Sequence, residues 1–354
     1  MPKIPVDPSS ITADWLSQAL RADVRTADIE QIAVGVGLLG RLFRVRLTGI
    51  DVPESVVIKM PTLDARARSV LCEDLGLYQR EIRFYQEIGL SNPLRPARPY
   101  FAAIDETTHD FVLVLEDVGH RRRADQITGC AASDAETVID AIAAHHAHWW
   151  NSDQLASLTW LTTLCEPPFS GSTVASYQAS WPEFLGRFGD ELSPETRAFG
   201  ERFLSLMPWL MAEISRPPNT FLHGDLRLDQ LFFAAEPGDP PLTALDWQLS
   251  TKGRGAYDLA YFISQSLTTD TRRACERQLL SRYAERLVEA GIDYAHEKLS
   301  RDYRLATAWC FAYPVLAVGQ IDVVNDRQRD LLRAMTHNAA AAAEDHDAFS
   351  LRPD

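Results

Sequence analysis

The segment FLHGDLRLDQLFF, Phe221 to Phe233, sets a histidine, a glycine and two aspartates between apolar runs, with Asp225 and Gln230 five residues apart. An ionised carboxylate withdrawn from water is costly unless it is paired, hydrogen-bonded or bound to a metal. Something must therefore compensate Asp225. A second acid, Asp246 in ALDWQ, closes another short apolar run. Two such acids suit one joint chemistry, in which oxygen donors hold a hard divalent cation and a carboxylate accepts or orients the proton of a hydroxyl. The cation and the hydroxyl then supply the compensation that water no longer can. For Asp225 taken singly, a structural cap competes with catalysis.

Three further features accompany these acids in a telling order. Gly35-Val36-Gly37-Leu38-Leu39-Gly40 matches G-x-G-x-x-G, shared by dinucleotide-binding turns and by glycine loops folded over phosphates. A dinucleotide fold needs a helix directly after the last glycine, whereas RLFRVRLTG alternates as a strand and VVIK follows as another. A phosphate-covering loop between antiparallel strands is thus favoured, with a plain glycine-rich hairpin as the competing interpretation. A dinucleotide oxidoreductase would rest on the glycine pattern alone. Lys59 ends SVVIK, so its stem can lie along a sheet while its ammonium reaches phosphate oxygens. Glu81, in the helix that follows, could hold Lys59 as an ion pair. Taken singly, Lys59 and Glu81 also read as a solvated strand end and a solvated helix face. The spacing from Asp225 to Gln230 equals that from the Asp to the Asn of the kinase loop H-R-D-x-x-x-x-N, and Asp246 stands where a second magnesium ligand is needed.

The elements that must position these residues differ between the two ends of the chain. Thr12 followed by ADWLSQAL predicts an N-capped helix with Trp15, Leu16 and Leu20 on one face. From IEQIAVGVGLLGRLFRVRLTG to ESVVIKMP, alternation and β-branched runs predict successive strands. LYQREIRFYQEIG has helical spacing, and HDFVLVLEDV is a run of strand length. After about Val118 the pattern is mostly helical, broken only by the opening segment and by PLTALDWQLS. The alanine run at Ala339 to Ala343 reads as a terminal helix.

FLHGDLRLDQLFF, ALDWQLSTKGRGAYDLAYF and VVIK together resemble the aminoglycoside phosphotransferase and choline-kinase-like family of small-molecule kinases, over roughly Ile32 to Phe262. The resemblance implies an α+β, bilobal protein-kinase-like fold: a small, mainly antiparallel β lobe with one helix over 1–118, and a larger, mainly α lobe over 119–354. ATP would lie in the interlobe cleft under Gly35, Gly37 and Gly40, with Glu116 and Val118 beside the adenine. Asp225 would accept or orient a hydroxyl proton, His223 would brace the loop, Gln230 and Asp246 would bind Mg2+, and Lys59 would contact phosphates with support from Glu81. Asp258 resembles the acid that ties the loop down, although an N-cap explains it almost as well. The implied activity is transfer of the γ-phosphate of ATP to a hydroxyl of a small-molecule acceptor. Gln230 departs from the family's Asn and sits one methylene further from the backbone. A catalytically impaired nucleotide-binding module is the alternative that this departure raises.

Composition narrows the partners. At 354 residues the chain exceeds what one core ordinarily serves, so two domains or lobes are expected. A formal net charge of −14 disfavours a nucleic-acid partner, and Arg121 to Arg123 form the one dense basic run, which reads as a solvated loop with anion binding as the alternative. Five scattered cysteines, none in a Cys-x-x-Cys pair, indicate neither zinc nor a disulfide framework. No signal-peptide pattern and no apolar stretch of membrane-spanning length is present, so a soluble cytoplasmic protein is expected. His145, His146 and His148 read as structural packing beside Trp149 and Trp150 rather than as a metal site. Tyr177, Trp181 and Phe184, at helical spacing, read as core rather than as an aromatic acceptor pocket.

Overall fold

In a computed structural model of the chain, residues 2–33, 40–64, 68–69, 75–320 and 325–353 are described. Thr12 caps the first helix, α1 (Ala13–Leu20), by accepting from the Trp15 amide at 3.2 Å, and Trp15 and Leu16 are buried. Strands β1 (Asp23–Ile32), β2 (Gly40–Ile50) and β3 (Ser55–Pro61) follow. Helix α2 (Leu77–Arg83) then runs into a wider-wound turn at Phe84–Ile88, before β4 (Pro99–Ile104) and β5 (Phe111–Glu116). The five strands form one sheet in the order β1-β2-β3-β5-β4, every neighbouring pair antiparallel.

Alternation sends the two faces of this sheet to different helices. Val56, Ile58 and Met60 of β3 and Val112 and Val114 of β5 share a core with Trp15 and Leu16 of α1. Lys59 has the opposite parity and pairs in register with Leu42 and Leu113. On that second face Phe111 meets Tyr78 of α2, ring centroids 4.4 Å apart. The sheet thus aims Lys59 at α2.

The remaining elements are mainly helical: α3 (Ala132–Trp149), α4 (Asp153–Ser157), α5 (Phe169–Phe188) and α6 (Pro194–Ser215). Short strands β6 (Thr220–Leu222), β7 (Leu231–Phe233), β8 (Leu242–Ala244) and β9 (Thr251–Gly253) come next. Helices α7 (Ala256–Ser266), α8 (Thr269–Glu289), α9 (His296–Cys310), α10 (Ala312–Gln320) and α11 (Asp326–Asp345) complete the chain. α7 is buried at every position, the polar Asp258, Ser264, Gln265 and Ser266 included. Tyr177, Phe184, Phe199, Phe203, Trp309 and Phe311 belong to one buried cluster, and Trp181 packs against it, so the aromatic run of α5 is core.

Internal contacts divide the chain into two units: Met1–Arg121 with Ala235–Pro237 and Thr243–Leu249, and Arg122–Ala234 with Gly238–Leu242 and Ser250–Asp354. Asp246 falls in the first. The division passes through the arginine run, where Arg122 and Arg123 are exposed, as a solvated loop predicts, and Arg121 is buried. Arg121 is buried against Glu116, Arg122 pairs with Asp134 at 2.7 Å and lies over Phe233, and Arg123 lies over Phe232. Flat guanidinium groups cover aromatic faces while the exposed Arg122 and Arg123 keep their contact with water.

Candidate active site

Each unit carries its own group of candidate residues. In the first, Lys59 Nζ donates to Glu81 Oε2 at 2.8 Å and to Asp246 Oδ1 at 3.0 Å. The Lys59 and Glu81 side chains are 11% and 2% exposed, whereas that of Asp246 is 24% exposed, so one acid is interior and the other faces outward. Burial alone would lower the Lys59 pKa, but the charges of Asp246 and Glu81 outweigh it and hold the ammonium above its usual range. Burial pushes the Glu81 carboxyl up, against the pull of Lys59.

The local backbone explains how these groups meet. Phe84, at the end of α2, stacks on Trp247 with centroids 4.1 Å apart and planes 9° apart, which joins the helix of Glu81 to the segment of Asp246. Asp246 adopts a left-handed φ of 64°, uncommon for a residue with a side chain and tolerated best by Asn and Asp. Gly40 lies close to the lysine: a Cβ there would stand 3.3 Å from Lys59 Cε and 2.9 Å from Met60 O. Gly35 and Gly37 lie outside the described residues.

Gln248 joins this group although its sequence context gave no hint of it. Its Nε2 donates to Asp246 Oδ2 at 3.1 Å, and its Oε1 accepts from Lys59 Nζ at 3.5 Å. The reverse amide orientation would turn an NH2 toward the ammonium, so the chemistry of the two partners fixes this one. Glu116 stands opposite Val56 in the sheet rather than beside Lys59. Its carboxylate accepts from Arg121 Nη2 at 2.8 Å, Arg95 Nη2 at 3.2 Å and the Arg98 amide at 3.1 Å. Val118 is buried, and its carbonyl accepts from the Arg121 amide at 3.0 Å.

In the second unit, Asp225 is 6% exposed and its carboxylate is hydrogen-bonded at both oxygens. Oδ1 accepts from Tyr261 Oη at 2.6 Å and from Arg227 Nε at 3.0 Å, while Oδ2 accepts from Gln230 Nε2 at 3.3 Å. These bonds answer the charge problem that the sequence poses. Burial by itself would lower the Arg227 pKa, but Asp225 and its neighbours outweigh burial and raise it.

The turn itself is pinned from behind. Gly224 has a φ of 86°, open to glycine at no steric cost. Asp258 Oδ2 accepts from the His223 amide at 2.7 Å and Oδ1 from the Gly224 amide at 3.0 Å. Asp258 is therefore no N-cap: Gly255 holds that position in α7, without a side-chain cap bond. His223 is buried and its Nδ1 accepts from the Asp225 amide at 3.3 Å. His146, from α3, places Nε2 3.3 Å from Asp258 Oδ2 and Nδ1 2.8 Å from Tyr283 Oη. With Nε2 protonated, both contacts are satisfied. His145 is buried against Phe221, centroids 5.6 Å apart. The histidines of α3 thus pack and support the loop, and the sequence offers no cue to the link from His146 to Asp258 because 112 residues separate them.

Comparison with known proteins agrees with this arrangement. A profile of the ecdysteroid kinase-like family matches residues 37–293. Acyl-CoA dehydrogenase family member 10 of Mus musculus is 32% identical over 96 residues, spanning 24% of this chain and 9% of that protein. Among solved structures, a Ralstonia eutropha protein assigned as an aminoglycoside phosphotransferase has a TM-score of 0.59 at 16% identity, covering 97% of this chain and 98% of that one. Choline kinase of Cryptosporidium parvum has a TM-score of 0.59 at 10% identity, covering 91% and 90%. LicA in complex with AMP has a TM-score of 0.51 at 15% identity, covering 93% and 97%. At such identities the structural likeness shows a shared kinase-like fold. The profile match, spanning the lysine strand, the His-Gly-Asp turn and α7, adds the sequence to the fold: the chain belongs to the ecdysteroid kinase-like family.

Proposed function

We propose that the chain is an ATP-dependent phosphotransferase that moves the γ-phosphate to a hydroxyl of a small-molecule acceptor, with Mg2+ as cofactor. In this scheme residues 1–118 serve the nucleotide, with Gly35, Gly37 and Gly40 over its phosphates and Glu116 and Val118 beside its base. Residues 119–354 serve the metal and the acceptor. The donor chemistry fits: Asp246 offers a partly exposed carboxylate, and Mg2+ takes one or two protein carboxylates and completes its shell with water and phosphate oxygens. Gln230 would hold the cation through its amide oxygen, since its nitrogen engages Asp225. When bound, Mg-ATP supplies the phosphoryl group and the cation that neutralises its charge. Lys59, kept charged by its two acids, holds phosphate oxygens, and Glu81 keeps it in place. Asp225 orients the acceptor hydroxyl and takes its proton, while His223 and Asp258 keep the turn from moving.

The observation that supports this most is the ammonium of Lys59 shared between the buried Glu81 and the outward Asp246. The use of Gln230 Nε2 on Asp225 favours, as a second scheme, a module that binds nucleotide without turnover. Incubation with Mg-ATP and a panel including an ecdysteroid, choline and an aminoglycoside, read by mass spectrometry, separates the two. The expected outcome is one acceptor gaining a phosphoryl group with release of ADP. A thermal shift with Mg-ATP but no product from any hydroxyl or amine acceptor would favour the binding module.

A further inference from the structure

A carboxylate that orients a hydroxyl must itself be held in one orientation. The two oxygens of Asp225 are held unequally. Oδ1 receives two donors, Tyr261 Oη at 2.6 Å and Arg227 Nε at 3.0 Å, whereas Oδ2 receives Gln230 Nε2 at 3.3 Å. Tyr261 comes from α7, is 4% exposed, and stacks on Tyr313 of α10 with centroids 4.0 Å and planes 16° apart. The Tyr313 hydroxyl meets that of Tyr257, which in turn donates to Gly224 O at 3.2 Å. Three tyrosines on two helices therefore reach both the side chain and the backbone of the His-Gly-Asp turn. Burial and the Asp225 charge hold the Tyr261 phenol well above its usual range, so its hydroxyl stays a donor.

We propose that Tyr261 is a positioning residue for phosphoryl transfer: it pins Asp225 Oδ1, with Arg227, so that Oδ2 is the oxygen presented to the acceptor hydroxyl. The reaction then leaves the proton of the acceptor on Oδ2, while the acceptor oxygen bonds to phosphorus and the bond from phosphorus to the ADP oxygen breaks. This rests on the role given to Asp225 above. A tyrosine kept only to pack on Tyr313 would work equally well as phenylalanine. The tyrosine hydroxyl does more than pack, because its 2.6 Å bond to Oδ1 fixes the rotation of the carboxylate. Within its unit, the charged and titratable groups facing Asp225 are Arg227, Tyr257 and Tyr261, with His223 in its own turn. Removing the Tyr261 donor leaves Oδ1 to Arg227 alone and frees the carboxylate to turn, which must lower kcat more than it changes KM.

The test is ADP release from Mg-ATP, with water and with a hydroxyl acceptor, for wild type, D225N and Y261F. The expected Y261F result is kcat lowered about tenfold with KM for ATP within about twofold of wild type. If Y261F melts early, kcat is read below its melting temperature and compared with trifluorotyrosine at position 261, which retains the ring and a donating hydroxyl and must restore kcat. D225N separates the two claims: turnover retained in D225N removes the role of Asp225. D225N inactive, with Y261F equal to wild type in kcat or the fluorinated form as slow as Y261F, overturns the proposal for Tyr261 alone.

Discussion

Lys59 stands between two acids, and one ammonium cannot neutralise both. K59M leaves Glu81 and Asp246 facing each other without a cation, so a loss of about 3 kcal/mol is expected at pH 8 from urea melts. Part of it returns at pH 5.5. An acid whose folded pKa is raised above its unfolded value destabilises the fold above that folded pKa and stops doing so below the unfolded one, and burial raises Glu81 to about 7 even with Lys59 present. Unchanged stability across that range would contradict the pairing. Gln248 makes a second prediction. Its amide bridges Lys59 and Asp246, so Q248A should raise the Mg2+ concentration for half-maximal Mg-ATP thermal shift several-fold with little change in melting temperature of the free protein. An unaltered Mg2+ dependence would reduce Gln248 to packing. At this scale the sequence exposes Lys59 and Asp246 through their positions at the ends of apolar runs, Asp225 through its spacing to Gln230, and Glu81 through its helix following the lysine strand. It hides Gln248, Arg227 and Tyr261, because an amide, a surface-type arginine and a helix tyrosine carry no positional signature until folding brings them onto a carboxylate.

Helices α3 and α7 form the support behind the His-Gly-Asp turn. α7 contributes Asp258 to the amides of His223 and Gly224, and α3 contributes His146 to Asp258. D258N keeps an acceptor oxygen but loses a charge that receives three donors, so turnover should fall by at least tenfold with nucleotide binding retained. Wild-type turnover would show that the turn holds itself. α3 also carries a pH signal: burial keeps the His145 imidazole neutral, well below its usual pKa. A depressed folded pKa gives stability that is present above about pH 6.5 and lost as pH falls toward the folded value. Thermal melts between pH 7 and pH 5 should therefore show a decline that H145F flattens, and an equal decline in both proteins would exclude His145 as its source. Elements were easier to read than their contacts. Thr12 before ADWLSQAL and the alternation of SVVIK announce α1 and β3 locally, since capping and parity act over a few residues. The role of Asp258 was ambiguous because a first-turn acid looks alike whether it serves the helix dipole or a distant loop.

Across the whole molecule the chemistry is divided: Lys59, Glu81, Asp246 and Gln248 fall in the first unit, and His223, Asp225, Gln230 and Asp258 in the second. The lysine and the aspartate of the proposed transfer, Lys59 and Asp225, therefore fall in different units. The excess of 49 acidic over 35 basic residues fits an acceptor that is not a nucleic acid, and no helix among the described residues is long and apolar enough to cross a membrane. The separate motifs are legible because each is short, whereas the acceptor is not, because its surroundings come from helices whose apolar spacing reports only their cores. The central claim, that these divided residues serve one Mg-ATP-dependent transfer, is tested most directly by measuring Mg-ATP binding and turnover side by side in D225N. Calorimetry should give a Kd within about threefold of wild type while acceptor phosphorylation falls by at least a hundredfold. Phosphorylation at the wild-type rate in D225N would contradict it.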